Sequence, residues 1–121
     1  MGPTTGISSS RVGETASVFA AMGDETRLRI LGRLSREGPL AIARLTEGTH
    51  LSRQAVTKHL LTLSRAGLVR GRRRGRERLW QLQARRLNHA NYYLQSISEQ
   101  WDEALSRLKT LVEQDPPRYP A

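Results

Sequence analysis

The sequence contains no cysteine and few aromatic residues, and each shortage excludes a class of protein. Without cysteine the chain has no disulfide framework, no thiolate metal site and no cysteine nucleophile. One Phe, two Trp and three Tyr are spread over 121 residues, so the core must come chiefly from aliphatic side chains on packed helices. No apolar run approaches the ~20 residues of a membrane helix, and the N-terminus carries no basic segment followed by an apolar one. We therefore expect a small helical protein that is cytoplasmic and has no membrane partner.

Acidic residues are scarce in one stretch of the chain. Residues 52–86 contain eleven basic residues and one acidic residue, whereas the rest contains nine and ten, so the net charge of +9 belongs to this segment. Eighteen of the twenty basic residues are Arg, whose planar guanidinium forms bidentate pairs with phosphate or guanine. A GC-rich genome would also enrich Arg, but it would not cluster it. The clustering indicates a polyanionic partner, and nucleic acid is the first candidate.

Both ends of the chain are poor in residues that a core can bury. We predict disordered tails at residues 1–10 and 115–121 on either side of one domain at residues 11–114. A first helix is predicted from the apolar stripe Val12, Ala16, Phe19 and Met22. Asp24 is the predicted N-cap of a second helix, which ends at Gly38. The predicted core face of this second helix is Leu28, Ile30, Leu31 and Leu34.

The middle of the chain has the pattern of a helix-turn-helix. A short third helix, over about residues 40–47, is followed by a tight connection and a fourth helix with Ser52 as its N-cap. The predicted buried face of the fourth helix is Ala55, Val56, His59, Leu60 and Leu63. We therefore interpret His59 as a core histidine and not as a DNA contact. The second helix of such a unit enters the major groove of DNA, where its first residues meet base edges.

A β-hairpin follows directly, with Gly75 at its turn and Val69, Trp80 and Leu82 as its predicted inward residues. The fold class is therefore mainly α with a small β-hairpin wing, a winged helix-turn-helix. On the fourth helix, Gln54 suits adenine, Arg53 or Lys58 suits guanine or a phosphate, and Thr57 suits a base edge or a thymine methyl. Arginines at the hairpin turn suit phosphates or the minor groove. The predicted DNA-binding residues are Ser52, Arg53, Gln54, Thr57, Lys58, Arg72, Arg73, Arg74 and Arg76.

The last helix carries an apolar seam that repeats every three or four residues: Leu87, Ala90, Leu94, Ile97, Trp101, Ala104, Leu108 and Leu111. At 1.5 Å per residue this seam is roughly 37 Å long, which exceeds what a compact domain of this size needs for its own core. A second copy of the chain is the simplest partner for it, although a helix that packs only within its own subunit is the plain alternative.

Four runs of residues resemble the ArsR/SmtB-type bacterial transcriptional repressors: residues 22–31, 51–60, 66–69 and 75–80. The similarity covers roughly residues 15–112. It implies a winged-helix homodimer with contacts through the first and last helices, recognition by the fourth helix and an inverted-repeat operator of double-stranded DNA. The dimer-interface residues expected on this basis are Phe19, Leu87, Leu94, Ile97, Trp101 and Leu108.

Many members of that family release DNA when a metal binds, and the resemblance allows their ligand positions to be checked. The thiolate pair of the third helix falls on Ala41 and Ala43, which bind no metal. The ligands of the last helix fall on Leu87, His89, Gln100 and Glu103, so two of four ligand types are present, whereas zinc needs at least three good donors. We expect no metal and no cofactor.

The leading hypothesis is therefore a sequence-specific transcriptional repressor without a thiol-based metal switch. Its signal, if it has one, would be an unidentified small molecule or a partner protein. One alternative is an architectural protein that coats nucleic acid by charge alone, and another is a metal-responsive repressor with an atypical site at His89 and Glu103. We do not expect an enzyme, because the three His are scattered and Gly71 to Gly75 lacks the Lys-Ser/Thr of a phosphate loop.

Overall fold

The computed structural model describes residues 9–114. In chain order, the helices and strands of this range are α1 (Ser9–Met22), α2 (Glu25–Glu37), β1 (Leu40–Ala41), α3 (Ile42–Thr46), α4 (Arg53–Arg65), β2 (Val69–Arg74), β3 (Glu77–Leu82) and α5 (Arg85–Gln114). The chain forms two compact units, the first ending at Ala90 and the second beginning at Asn91, within α5. Among residues 9–114, no helix is both long enough and apolar enough to cross a membrane.

The predicted tails fall almost entirely outside the described residues. The exception is the end of the N-terminal tail, because α1 begins at Ser9 and so includes two residues that the prediction assigned to that tail. The C-terminal tail, predicted at residues 115–121, lies outside the described range, which closes with the end of α5 at Gln114.

Two helices begin at the capping residues that the sequence predicts. Asp24 has an extended backbone, and its carboxylate accepts a hydrogen bond of 3.0 Å from the amide of Arg27. Ser52 is also extended, and its hydroxyl oxygen accepts a hydrogen bond of 3.1 Å from the amide of Ala55. Each contact satisfies one of the amides that the first turn of a helix leaves without a partner. These caps fix where α2 and α4 begin.

The buried stripe of α1 differs from the predicted one. The buried residues of this helix are Thr15, Val18 and Ala21. In the predicted stripe, Val12 and Ala16 are exposed, whereas Phe19 and Met22 are half-buried against the core. The prediction is wrong because alanines lie on several sides of α1 and the buried stripe begins with a polar residue, so the apolar pattern does not select one face. As a consequence, α1 keeps apolar side chains on an outer face.

The core face of α2 is narrower than predicted. Ile30, Leu31 and Leu34 are buried, but Leu28 is 49% exposed. At 3.6 residues per turn, Leu28 lies about 110° from the middle of the arc that the other three define, which takes it outside the contact with the core. Arg27 falls within that arc instead, and it is half-buried. The prediction of Leu28 as a core residue is therefore wrong.

The hydrophobic core is built around α4. Val56, Leu60 and Leu63 have no exposed surface, and they pack in one cluster with residues from α1, α2, α3 and the sheet. The predicted inward residues of the hairpin are confirmed: Val69 and Trp80 are buried, and Leu82 is half-buried against the same cluster. The core therefore holds α4 and the hairpin in a fixed relation.

The sheet has three strands and not the two that the sequence predicts. β1 pairs with β3, with Leu40 opposite Trp80 and Ala41 opposite Leu79, so the strand order is β1-β3-β2. The predicted third helix over residues 40–47 is correspondingly shorter, because its first two residues belong to this strand. A strand of two residues has no periodicity of its own, and its pairing lies about forty positions away in sequence, so local pattern does not indicate it.

The negative charge of Asp24, the N-cap of α2, leads to a testable prediction about stability. The hydrogen bond from the Arg27 amide holds the pKa of Asp24 below its ordinary value of 3.8, and the charges of Arg27 and His59 act in the same direction. A lowered pKa in the folded state gives stability above the ordinary pKa that is lost as the pH falls through the folded value. We expect Asp24→Asn, which keeps the cap but not the charge, to be less stable than the wild type at neutral pH, with the difference closing as the pH falls below about 5 and through the lowered pKa of Asp24. Urea unfolding across this range measures the difference, and a constant gap would contradict the assignment.

Candidate nucleic-acid interface

The helix-turn-helix consists of α3, the connection through Ser52, and α4, and α2 holds it in place. The guanidinium of Arg33, on α2, donates hydrogen bonds to the carbonyl oxygens of Arg44 at 2.8 Å and Glu47 at 3.4 Å, which lie at the end of α3. The same guanidinium donates to the Glu37 carboxylate at 3.1 Å, and this bond lowers the pKa of Glu37 below its ordinary value. A cation at the carbonyl end of a helix also suits the helix dipole. Arg33 therefore fixes α3 against α2.

Burial of one face of α4 leaves the opposite face in solvent. Gln54 and Lys58, two of the predicted DNA-binding residues, are exposed on this side, and Arg53, a third, is exposed at the first position of the helix. Thr57 is half-buried, and its hydroxyl donates a hydrogen bond of 2.8 Å to the carbonyl of Arg53, so its methyl group and oxygen lone pairs are what it can offer a ligand. Ser52 is exposed but uses its oxygen as the helix cap. The outward face and the first turn of α4 thus offer an amide and two cations, a set suited to base edges in the major groove.

His59 lies on the inner side of α4, as predicted, but its surroundings are polar. Its Nδ1 atom is 3.2 Å from a guanidinium nitrogen of Arg27 and 3.9 Å from the Asp24 carboxylate. The guanidinium also donates a hydrogen bond to the carbonyl oxygen of Ala21, at the end of α1. His59 therefore lies on the core side of α4, as predicted, but it is half-buried and forms a polar link to the start of α2.

The wing is the β2–β3 hairpin, and its register divides its side chains between two faces of the sheet. One face carries the opposed pairs Val69 with Leu82, Gly71 with Trp80, and Arg73 with Arg78. The other carries Arg70 with Gln81, Arg72 with Leu79, and Arg74 with Glu77. Gly75 and Arg76 form the turn between the strands, and Gly75 has a φ of 63°, which favours glycine. The four arginines predicted to bind DNA at the wing therefore lie on both faces and at the tip.

The arginines and lysine of α4 and the wing differ from other arginines of the described chain in having no acidic partner there. Among the described residues, the ion pairs of other arginines include Arg29 with Glu25, Arg33 with Glu37 and Arg107 with Glu103. In contrast, no arginine or lysine from Arg53 to Arg85 forms an ion pair with any residue in the range 9–114. Apart from Arg86, which pairs with Glu14, the arginines and lysine of the basic segment therefore have no acidic partner within the described chain and are available to an external anion.

Sequence reasoning missed two residues of the wing. The guanidinium of Arg78 lies over the ring of Trp80, 5.0 Å from its centroid, although the sequence shows only a charged residue two positions before an aromatic one. Gly71 lies opposite Trp80 and leaves room for this contact. The signal that could have found it is the glycine inside a strand, which often marks a close approach of other groups.

The positions considered for a metal are dispersed. Among the described residues, no group of three or more His, Asp or Glu side chains could hold a metal ion. His89 lies near Glu14 and Arg86, which pair with each other at 3.1 Å, and Glu103 pairs with Arg107 on α5. His50 is exposed in the connection before α4.

The predicted dimer-interface residues fall into two groups. Phe19 and Leu87 are half-buried against the core of the first unit. In the second unit, Leu94, Trp101 and Leu108 are exposed, with Trp101 at 63%, and Ile97 is half-buried. The second unit therefore presents apolar side chains at the spacing of a helix seam.

Comparison with known proteins agrees with this architecture. A family model described as a helix-turn-helix domain matches residues 22–72. An ArsR-like transcriptional regulator from Rhodococcus sp. RHA1 is similar in structure, with a TM-score of 0.74 and 37% identity over 84% of this chain and 95% of that one. The uncharacterized HTH-type transcriptional regulator YuzN of Bacillus subtilis is 38% identical over 73 residues, which are 55% of this chain and 79% of that protein.

A further relative has a longer chain. The arsenic resistance transcriptional regulator ArsR1 of Pseudomonas putida is 38% identical over 58 residues, which are 48% of this chain. The match spans 45% of the length of that relative. The range that the family model matches contains α2, the helix-turn-helix and the start of β2. The chain belongs to the ArsR family of winged helix-turn-helix transcriptional regulators.

Proposed function

We propose that this protein is a repressor that binds an inverted-repeat operator as a homodimer in the cytoplasm. The observation that carries the proposal is the pairing of a base-reading face on α4 with a neighbouring wing whose arginines have no acidic partner among the described residues. An amide and two cations on a major-groove helix supply sequence readout, and the wing arginines supply phosphate or minor-groove contacts that set the register. The protein acts by binding and not by catalysis.

The outward residues of α4 divide by their chemistry. Gln54 presents an amide that matches the N6 and N7 atoms of adenine, and Arg53 and Lys58 match guanine or a phosphate. Thr57 donates its hydroxyl proton to the backbone, which favours a contact of its methyl group with thymine. Ser52 acts through the cap, which orders the first turn from which Arg53 and Gln54 project. At the wing we assign Arg72, Arg73, Arg74 and Arg76 to the DNA backbone.

The homodimer is supported by the apolar surface that the described chain leaves in solvent. Leu94, Trp101, Leu108 and Leu111 are each at least half exposed on α5. Val12 and Ala16 are exposed on the outer face of α1. Contiguous apolar residues at helical spacing mark an interaction surface, and a second copy buries the same surfaces symmetrically. An inverted-repeat operator has the matching two-fold symmetry.

The operator is tested with the DNA upstream of the protein's own gene. In a gel-shift titration at about 150 mM salt, we expect this DNA to bind at least about 10³-fold more tightly than a random duplex of equal length. Footprinting then locates two half-sites related by a two-fold axis. Similar affinity for both duplexes would contradict the proposal and favour a protein that coats nucleic acid by charge alone.

A substitution on α4 tests the reading role. We expect Gln54→Ala to relax the preference at one base position in each half-site and to cost about 1 to 3 kcal/mol of binding free energy, because the adenine edge loses its bidentate partner. Gln95→Ala, the same change at an exposed position of α5, is the control and leaves the preference unchanged. Binding to a set of single-base operator variants measures the effect. Equal losses on every sequence would show that Gln54 does not read a base.

A charge placed on the apolar seam tests the dimer. Trp101 is exposed in the single chain, so Trp101→Glu should leave the fold of each subunit intact while it opposes burial of the seam against a second copy. We expect sedimentation equilibrium to show a monomer for this variant and a dimer for the wild type. Gln95→Glu adds the same charge at an exposed position on the side of α5 away from the seam and should remain dimeric. A dimeric Trp101→Glu would place the interface elsewhere.

A further inference from the structure

Arg78 is held in one orientation by the side chain beneath it. Its guanidinium lies over the Trp80 ring at 5.0 Å from the centroid, a distance typical of a cation–π contact. Trp80 is only 4% exposed, so the core fixes the ring on which the guanidinium rests. Arg78 itself is exposed and forms no ion pair with a described residue. The Trp80 ring covers one face of the guanidinium, and the N–H groups at the edge of the guanidinium remain able to donate hydrogen bonds to an anion.

Gly71 makes this arrangement sterically allowed. It is opposite Trp80 in the hairpin, on the same face of the sheet as the stacked guanidinium. A Cβ atom at this position would lie 2.7 Å from the Nε atom of Arg78 and 3.3 Å from two carbons of the Trp80 ring. Real side chains do not approach as closely as 2.7 Å, so Arg78 would have to leave its place. The glycine is therefore a condition for the stack.

A second arginine lies directly across the hairpin. Arg73 is paired with Arg78, so their Cβ atoms are about 4.5 to 5.5 Å apart on one face. Two like charges at this separation repel each other, and no carboxylate of the described residues pairs with either. An anion bound by both guanidinium groups would remove the repulsion. The pair therefore has the composition of an anion-binding site.

Arg73 and Arg78 lie on the face of the sheet that packs against the core. Val69 and Trp80, on the same face, are buried in the cluster that contains Val56 and Leu60 of α4. Arg73 and Arg78 therefore extend from the side of the sheet against which α4 packs. Arg70 is on the opposite face, opposite Gln81 at the other end of the hairpin, and lies outside the predicted DNA-binding set.

We propose that Arg73 and Arg78 together bind one backbone phosphate of duplex DNA, with Arg78 oriented in advance by Trp80 and Gly71. Because Arg78 is already ordered, it loses little side-chain freedom on binding, whereas Arg73 supplies the second set of donors. The proposal rests on the proposed DNA-binding function, and it adds a defined phosphate site, with Arg78 as a binding residue and Gly71 and Trp80 as positioning residues.

The charge of the site is tested with a mixed-sequence duplex of about 30 base pairs, and fluorescence anisotropy is recorded over a range of KCl concentrations. We expect Arg78→Gln to flatten the slope of log Kobs against log salt by about 0.9 for each subunit bound, because the shared phosphate contact needs both guanidinium groups and its loss retains about 0.9 counterion. Arg70→Gln removes the same charge from the opposite face and should keep the wild-type slope. A slope that Arg78→Gln does not change, or that both variants flatten equally, would overturn the proposal.

The orientation of Arg78 is tested without any change of charge. We expect Gly71→Ala to displace the guanidinium and to weaken binding of the same duplex about two- to fivefold, the fold-change that corresponds to loss of an exposed cation–π contact. Far-UV circular dichroism and a cooperative thermal transition should show that the variant folds, while loss of the stack and the 3.3 Å approach to the Trp80 ring lower its Tm. Unchanged affinity would overturn the positioning role of Gly71 and Trp80.

The same titrations separate this site from the function on which it rests. A wild-type protein that binds neither the upstream DNA nor the mixed-sequence duplex would overturn the DNA-binding function. A wild type that binds with a steep salt dependence, together with an unaltered slope for Arg78→Gln, would overturn the phosphate site alone.

Discussion

The insertion of Val56, Leu60 and Leu63 into the core sets the rotation of α4, and the other features of the interface depend on that rotation. These three side chains have no exposed surface, so turning the helix by one residue would bring polar groups into a close-packed interior. The cap at Ser52 fixes where the helix begins, and the core fixes how it is turned. Together they decide that Gln54 and Lys58 face solvent. Base-reading residues are thus positioned by apolar residues that never touch a ligand.

The distribution of ion pairs separates what stabilises the fold from what serves binding. Arginines on α2 and α3 pair with glutamates, and Arg33 also secures the end of α3. The arginines of the wing lack such partners among the described residues, so their mutual repulsion opposes folding and falls with added salt. Apolar burial must offset this repulsion. A bound polyanion would replace the missing carboxylates, which couples the stability of the wing to its ligand.

The sequence predicts local features well and long-range pairings poorly. The caps at Asp24 and Ser52, the hairpin turn at Gly75 and the buried face of α4 follow from short patterns whose physical cause lies within a few residues. The two-residue strand β1 is visible only in its pairing with β3.

Side-chain environments also escape local pattern. The sequence predicts the wrong buried face for α1 because the alanines of this helix fit several faces. Leu28 of α2 shows that an apolar residue next to a buried stripe can remain exposed. The polar surroundings of His59 come from Arg27 on another helix. Likewise, the basic character of the candidate interface was evident from the sequence, whereas the stack of Arg78 on Trp80 depends on the strand register.

Because β2 lies at the edge of the sheet, its arginines have a second effect. With the order β1-β3-β2, one side of β2 has no neighbouring strand among residues 9–114, and its backbone amides and carbonyls there could pair with another chain. Four charged side chains, Arg70, Arg72, Arg73 and Arg74, lie along this strand and repel the same strand of a second molecule. The charges that attract a duplex therefore also protect the open strand from β-type aggregation between copies.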